Sequence, residues 1–494
     1  MLIGIDVGTT AVKAALFNEA GHARRHFSET YPTSRPEPGH VEQDPENWTQ
    51  LVTKALAVLS ENVAIKAIGL CSQVNTHIFV DEQGRALRPA MTWQDTRCAP
   101  DAAHLDARIG SDDKSEWWGA PLPIDASHML ARMAYLARTA PDLWARTRYV
   151  LAPKDYCIAA LTGEIVADPM THFGILDQSL SVIEPLMGLV PGAKQRVPKI
   201  APFTKCIGLV RSGFPCAGVP LVTGAMDAWS GLFGAGVSEN GQGLYLSGTS
   251  EILGLTSSHR YPTPGVIAFA PCEGLTLHAG PTQSGGASAA WCAYLLGMTL
   301  PDVFAHAALA KSHHTPLFLP HLQGERAPLW DAGAKGSFTG LTAATGPHEL
   351  ARAVLDGVAY SARLVFERLE ESGGQSPSLI HHSGGGSRSD LWCQIRCDVL
   401  GTALKRTATS DAGVLGAALM AGVGVGLFSS LSEATKNFVI FDRVFEPQTS
   451  DKTYHEARYH AYQLAYEQLK RSEEHTSELQ SRQYLVCRLL LEKK

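Results

Sequence analysis

Positive charge is in short supply in this chain of 494 residues: 42 Lys and Arg face 48 Asp and Glu, for a formal net charge of −6. Affinity for a nucleic-acid backbone needs concentrated positive charge, so DNA and RNA are excluded as main partners. Cysteine is sparse as well, with 10 in the chain and no even spacing, which excludes a disulfide scaffold. Cys393 and Cys397 stand four apart on a helical stretch without a second ligand pair. Two ordinary buried thiols are therefore expected there rather than a metal site. No secretory leader is evident, because Met1-Leu-Ile-Gly-Ile-Asp6 puts a carboxylate where the apolar segment would run, and the expected compartment is the cytoplasm. Neither a G-x-S-x-G elbow nor a Gly-Lys-Ser/Thr phosphate loop occurs, which removes the serine-hydrolase and Walker-type readings. Residues 412–431 carry no charge and are long enough to span a bilayer. Gly413, Gly416, Gly422, Gly424 and Gly426 fall inside that stretch, so a small-residue helix packed on neighbours and then a glycine-rich turn is expected, with no membrane partner.

What is present is a globular chain. Hydrophobic residues make up 45% and charged ones 18%, and at about 150 residues per domain the length suggests two to three domains. Leu2, Ile3 and Ile5 run into the polar turn Asp6-Val7-Gly8-Thr9-Thr10, and an apolar stretch over 11–17 follows. This pattern predicts a β-hairpin. Asp44 offers an N-cap and Pro45 a first helical residue for Trp48, Leu51, Val52, Ala55 and Leu59 at helical spacing. Residues 66–72 and 78–80 read as strands. The opening device then returns: 243–247 is a strand, Gly248-Thr249-Ser250 a hydroxyl-rich turn, and 251–255 another strand. Two copies predict two related α/β domains, 1–238 and 239–470, with a boundary near 236–241. Helical periodicity over 454–469 stops at Lys470. The continuation Arg471-Ser-Glu-Glu-His-Thr-Ser-Glu-Leu-Gln-Ser481 reads as a translated sequencing-library adapter, which sets 471–494 apart as an artefactual tail; a charged terminal helix is the alternative.

Five stretches can carry chemistry. In the first turn, Gly8, Thr9 and Thr10 offer backbone N–H groups and hydroxyls to anionic oxygens, and Asp6 at the strand end can hold a hydrated Mg²⁺. The bland alternative is a hairpin whose threonines satisfy backbone groups. Gly248, Thr249 and Ser250 strengthen the phosphate reading, since two facing turns can clamp a triphosphate. Gly384, Gly385, Gly386 and Ser387 follow a strand and precede a helix, which lets backbone approach a nucleotide closely. In Gly224-Ala-Met-Asp227 an apolar strand delivers Asp227 to a helix start, where an N-cap worth about 1 kcal/mol is the competing role. In Trp93-Gln94-Asp95-Thr96-Arg97 an aromatic face stands beside a carboxylate and a guanidinium; this set suits sugar hydroxyls or, alternatively, a local Asp–Arg pair at a surface turn.

Taken in order, these segments resemble the FGGY carbohydrate kinases of the actin-like ATPase fold. The likeness runs over about residues 1–470 and adds Gly324-Glu-Arg-Ala-Pro-Leu-Trp-Asp331, Arg352-Ala-Val-Leu-Asp-Gly357 and Ala412-Gly-Val-Leu-Gly-Ala417. The resemblance implies two ribonuclease H-like domains with ATP and a small carbohydrate in the cleft between them. It further implies Asp6, Thr9 and Thr10 at Mg²⁺ and phosphates, Gly248 and Thr249 on the opposite wall, and residues 384–387 beside the nucleoside. Asp227 becomes the general base that takes the proton of the substrate hydroxyl. With an ordinary carboxylate pKa of about 3.9 it is expected to be ionised at neutral pH. Lys13 is read either as a phosphate neighbour or as a solvated strand residue. Neither a helix-turn-helix segment nor a peptide-binding domain accompanies the nucleotide unit, which argues against a sugar-sensing regulator or a chaperone-like ATPase. The sequence sets no oligomeric state; a homodimer is compatible with it.

For the acceptor, Ser72-Gln73-Val74-Asn75-Thr76-His77 occupies the family's substrate-facing stretch. Xylulokinases usually have Gln-Met-His-Gly there and glycerol kinases Gln-Arg-Glu-Thr, so this chain departs from both. Gln73 and Asn75 can each donate and accept towards sugar hydroxyls, together with Trp93, Asp95 and Asp227; His77 either joins them or faces the core. The expectation is a ketopentose such as xylulose, with a four- or five-carbon polyol or another ketose as the alternative.

Overall fold

The computed structural model describes the backbone of residues 1–491 and the side chains of residues 1–471 other than Ser312. Two mixed sheets organise it, and they repeat one topology. In the first, Leu2–Val7, Ala11–Phe17 and Ala23–Thr30 form an antiparallel meander; Ala67–Ser72 then lies parallel to Leu2–Val7, and Pro220–Val222 parallel to Ala67–Ser72. In the second, Gln242–Ser247, Glu251–Thr256 and Leu277–Pro281 are antiparallel, Leu379–Ser383 is parallel to Gln242–Ser247, and Leu404–Thr407 extends the parallel part. The duplicated strand–turn–strand read from the sequence is thus a duplicated sheet.

The central strand Leu2–Val7 is buried nearly throughout because both faces of its sheet are covered. On one face lies helix Pro45–Ser60, started by Asp44, whose side chain accepts from the Glu46 N–H, with Pro45 at its first position. On the other lies helix Ala412–Gly424, the charge-free stretch of the sequence. Its approach is backbone to backbone: a Cβ on Gly4 would sit 1.9 Å from the Val414 carbonyl oxygen, and one on Gly69 would sit 1.9 Å from that of Ala417. The same helix meets Asp227–Gly234 as closely, since a Cβ on Gly416 would come within 1.8 Å of the Ser230 oxygen. Small residues therefore serve a helix packed closely on the first sheet and on Asp227–Gly234, and among the described residues no helix is long and apolar enough to cross a membrane. One consequence departs from a simple two-block reading: Ala412–Gly424 comes from the second half of the chain yet packs on the sheet of the first.

The last helix runs from Lys452 to Leu491 without a break at Lys470. The side chains of 472–494 lie outside the described residues, so the reading of that tail as foreign stays a reading of the sequence.

Candidate active site

Side-chain contacts link both hairpin turns, the glycine run and the start of helix Asp227–Gly234. Asp6 closes the first strand opposite Lys13. Its Oδ1 is buried without a hydrogen-bond partner, and burial raises its pKa to about 6. In the turn that follows, the Gly8 N–H donates to Ala11 O at 3.1 Å and the Tyr31 hydroxyl donates to Gly8 O. Thr9 O accepts from Gln43 Nε2 at 2.8 Å, and Thr9 Oγ1 accepts from Trp93 Nε1 at 3.0 Å. Thr10 stands exposed. The turn is thereby fixed to Trp93, with the Thr9 hydroxyl proton still to give.

Asp227 reaches the same place from the next strands. Gly224, at φ 69°, lies so close to the Leu70 carbonyl that a Cβ would be 1.8 Å from its oxygen. Ala225–Met226 then pairs beside Ala67–Ser72, and the helix begins at Asp227. The N-cap position belongs to Met226, so the N-cap role weighed for Asp227 does not hold; its Oδ1 accepts from the Ala228 N–H at 2.8 Å. Nor does its ordinary ionisation hold. Burial and the neighbouring Asp6 raise Asp227 to about 7, against the Ala228 N–H and the charge of Arg326.

The opposite wall is built differently. The carbonyls of Gly248 and Thr249 accept, at 2.9 Å each, from the Gly286 and Ala287 N–H groups that open helix Gly286–Leu296. Ser250 Oγ accepts from Arg326 Nη2 at 3.4 Å. Beneath the turn, Glu251 is fully enclosed: Arg396 Nη2 donates at 2.6 Å, Ser247 Oγ at 3.0 Å and Tyr245 OH at 2.8 Å. Arg396 also donates to Gly386 O at 3.1 Å, which ties the second turn to the glycine run. Close packing restricts two glycines of that run, for a Cβ on Gly384 would lie 2.4 Å from Ser247 O and one on Gly386 2.1 Å from Ser247 Oγ, whereas Gly385 borders open space. The Ser387 hydroxyl is used inside the turn, donating to Gly384 O at 2.7 Å. At the edge of the cleft a cavity of about 230 Å³ lies between Lys13, His26, Arg388, Thr409 and Asp411, and Lys13 pairs with Asp411 at 3.0 Å across the two halves.

Beside the first turn, Gln73 Nε2 donates to Gln43 Oε1 at 2.9 Å, while Gln73 Oε1 is buried and unpartnered. Asn75 adopts the left-handed conformation, φ 54°, and its Nδ2 donates to Ser127 Oγ at 3.2 Å. His77 faces the core, 2.9 Å from Arg132, and burial together with that guanidinium holds it neutral. Asp95 is a correction. Its carboxylate accepts from Val41 N at 2.7 Å and from Arg97 Nη2 at 2.6 Å, with no side-chain exposure, so the local Asp–Arg pair describes it and no oxygen is left for a sugar. Cys393 and Cys397 are plain buried thiols, donating at 3.1 Å to Ser387 O and Phe445 O respectively. Among the described residues no group of three or more His, Cys, Asp or Glu side chains is placed to hold a metal ion.

Sequence reading passed over Arg326 and Gln43. Arg326 lies 5.6 Å from the ring centre of Trp93, and its charge acts on Asp227, so it reaches residues of the first half from the second. An arginine in Gly324-Glu-Arg-Ala-Pro, a charged pair inside a turn sequence, was a readable signal; Gln43 had none.

Comparison with known proteins divides the chain as its sheets do. The model of the N-terminal domain of the FGGY family of carbohydrate kinases matches residues 1–234, and that of the C-terminal domain matches 243–425. The xylulose kinase of Escherichia coli is 32% identical over 451 residues, 88% of this chain and 92% of the relative. Ligand-bound xylulose kinase from Lactobacillus acidophilus superposes with a TM-score of 0.85 at 26% identity, covering 95% of this chain and 98% of that one. A gluconate kinase from the same organism gives 0.85 at 26% identity, covering 94% and 97%.

Proposed function

The chain belongs to the FGGY family of carbohydrate kinases, a phosphotransferase with an alcohol group as acceptor, and from that premise we propose that it transfers the γ-phosphoryl group of ATP to a hydroxyl of a ketopentose such as xylulose, with Asp227 as general base. What supports the reading is that Asp227 opens its helix with Oδ1 accepting from the Ala228 N–H, and that the charges of Asp6 and Arg326 both act on it.

In this reading the substrate hydroxyl oxygen forms a bond to the γ-phosphorus as the bond to the ADP oxygen breaks, and the hydroxyl proton passes to the Asp227 carboxylate. The turns 8–10 and 248–250 present N–H and hydroxyl donors to the phosphate oxygens. A buried carboxylate oxygen without a partner on Asp6, beside a second raised carboxylate, fits a hydrated divalent cation, which binds commonly through one or two carboxylates. Mg²⁺ bound there would neutralise phosphate charge. Trp93 offers its face to the carbon skeleton, and Gln73 and Asn75 offer amides to the hydroxyls.

A second acceptor class, a polyol or another ketose, is favoured by the departure of Val74 and Asn75 from both family patterns. ADP release with ATP and Mg²⁺ against a panel of ketoses, polyols and sugar acids tests the proposal. Strongest stimulation by a ketopentose is expected. Folded protein that no carbohydrate stimulates would overturn it.

A further inference from the structure

Arg132 lies at the start of helix Met129–Thr139 and is fully buried. A buried guanidinium normally meets a carboxylate; this one meets carbonyls. Its Nη1 donates to Asn75 O and Met91 O, each at 2.6 Å, and lies 2.9 Å from His77 Nδ1, and its Nη2 donates to Thr92 O. No carboxylate pairs with it directly, and burial, outweighing the attraction of Asp95 and Asp125, lowers its pKa to about 10. Every one of those acceptors belongs to the two segments that carry the sugar-side residues Asn75 and Trp93. The same helix entry also holds the Asn75 side chain, through Ser127 Oγ at 3.2 Å. Asn75 is thus gripped at backbone and amide by one element while it sits at φ 54°. Trp93 follows directly on Thr92, and its N–H donates to Thr76 Oγ1 at 3.2 Å.

We propose that Arg132 is a positioning residue for acceptor choice: it fixes the spacing between the Asn75 amide and the Trp93 face, and so sets which polyhydroxylated acceptor fits. The proposal rests on the sugar-kinase reading above. Residues 77 and 91 are also joined by backbone hydrogen bonds of 3.0 and 3.1 Å, so the segments stay together without Arg132 and lose only their exact spacing.

Arg132→Met and Arg132→Lys separate this from a general structural role. In Arg132→Met, the KM of the best sugar is expected to rise about tenfold and its advantage over the next acceptor to shrink, with the KM for ATP within about twofold, since misplacement near 1 Å costs up to about 10²-fold. Amide exchange should quicken at 75–77 and 91–93 and stay unchanged at 248–250. Arg132→Lys keeps a charge that reaches fewer acceptors and should fall between; it carries the test if Arg132→Met does not fold. A folded variant with wild-type sugar KM and selectivity, or one in which both KM values and kcat worsen alike, overturns the proposal. Wild-type protein with no sugar-stimulated ADP release would instead overturn the kinase reading, so the two failures are distinct.

Discussion

The two hairpin turns occupy the same place in two copies of one sheet, yet they treat their carboxylates in opposite ways. Glu251, after the second turn, is enclosed and satisfied by Arg396, Ser247 and Tyr245. Asp6, before the first, keeps a buried oxygen without a partner and has a second carboxylate, Asp227, for a neighbour. A buried charge with all its partners holds structure together, and one kept without them costs stability. That cost is reasonable only where a ligand or a proton supplies the missing partner. The comparison sorts the carboxylates of the cleft by role without reference to any substrate.

The largest effect should come from the unsatisfied side. Asp227→Asn is expected to lower kcat by about 10²–10⁴-fold, the usual share of a general base, while ATP binding persists and the melting temperature does not fall. Steady-state rates and thermal unfolding on the same preparation check this. Near wild-type turnover would remove Asp227 from the mechanism and erase the distinction between the two turns.

The satisfied side should fail in stability first. Arg396→Met leaves Glu251 buried without its cation, which typically costs about 3–5 kcal/mol, to be read from denaturant unfolding. Pairing it with Glu251→Leu should restore most of that loss, because an ion pair replaced as a unit leaves no stranded charge. A single variant as stable as wild type would mean that the enclosed pair contributes little and that the contrast with Asp6 is one of appearance.

Much of this was legible in the sequence. The two turns, the Asp44-Pro45 helix start and the small-residue helix each carry a local signature, since turn chemistry, capping and glycine spacing act over a few residues. Asp227 and Asp6 could be singled out, but not their raised pKa values, which come from burial and, for Asp227, from Asp6 at a distant position in the chain. Asp95 misled because its neighbours in sequence, Trp93 and Arg97, suit both a sugar and a local ion pair, and only the packing of Val41 against it decides. Arg132 and Gln43 gave no signal at all: their partners are backbone oxygens and an amide contributed by other segments. Reading 412–431 as a tightly packed helix was possible, whereas its packing on the first sheet was not.

A pH series tests the unsatisfied side without any ligand. The folded-state pKa of Asp227 is raised from 3.8 to about 7. The folded protein therefore binds a proton that the unfolded chain has released, and stability is lost as pH rises through that window. The Asp227→Asn variant has no such proton to lose. Its melting temperature should match wild type near pH 4, overtake it as pH rises, and hold a constant lead of a few degrees above pH 7. A lead that is already full at pH 4 would assign the gain to packing instead of charge.

The smallest effect belongs to the first hairpin's link across the halves, the pair Lys13–Asp411. Their side chains are 49% and 31% exposed, so water and salt screen the 3.0 Å contact. Exposed pairs contribute about 0.2–1 kcal/mol, and Lys13→Met should change unfolding free energy by no more than that, less still in high salt. The second hairpin is anchored from beneath by a buried pair; the first is anchored by Thr9 through Trp93 and Gln43, with Lys13 as a peripheral tie. A loss of several kcal/mol in Lys13→Met would show that the first turn depends on a charge pair as the second does. The two turns would then differ only in how deeply that pair is buried.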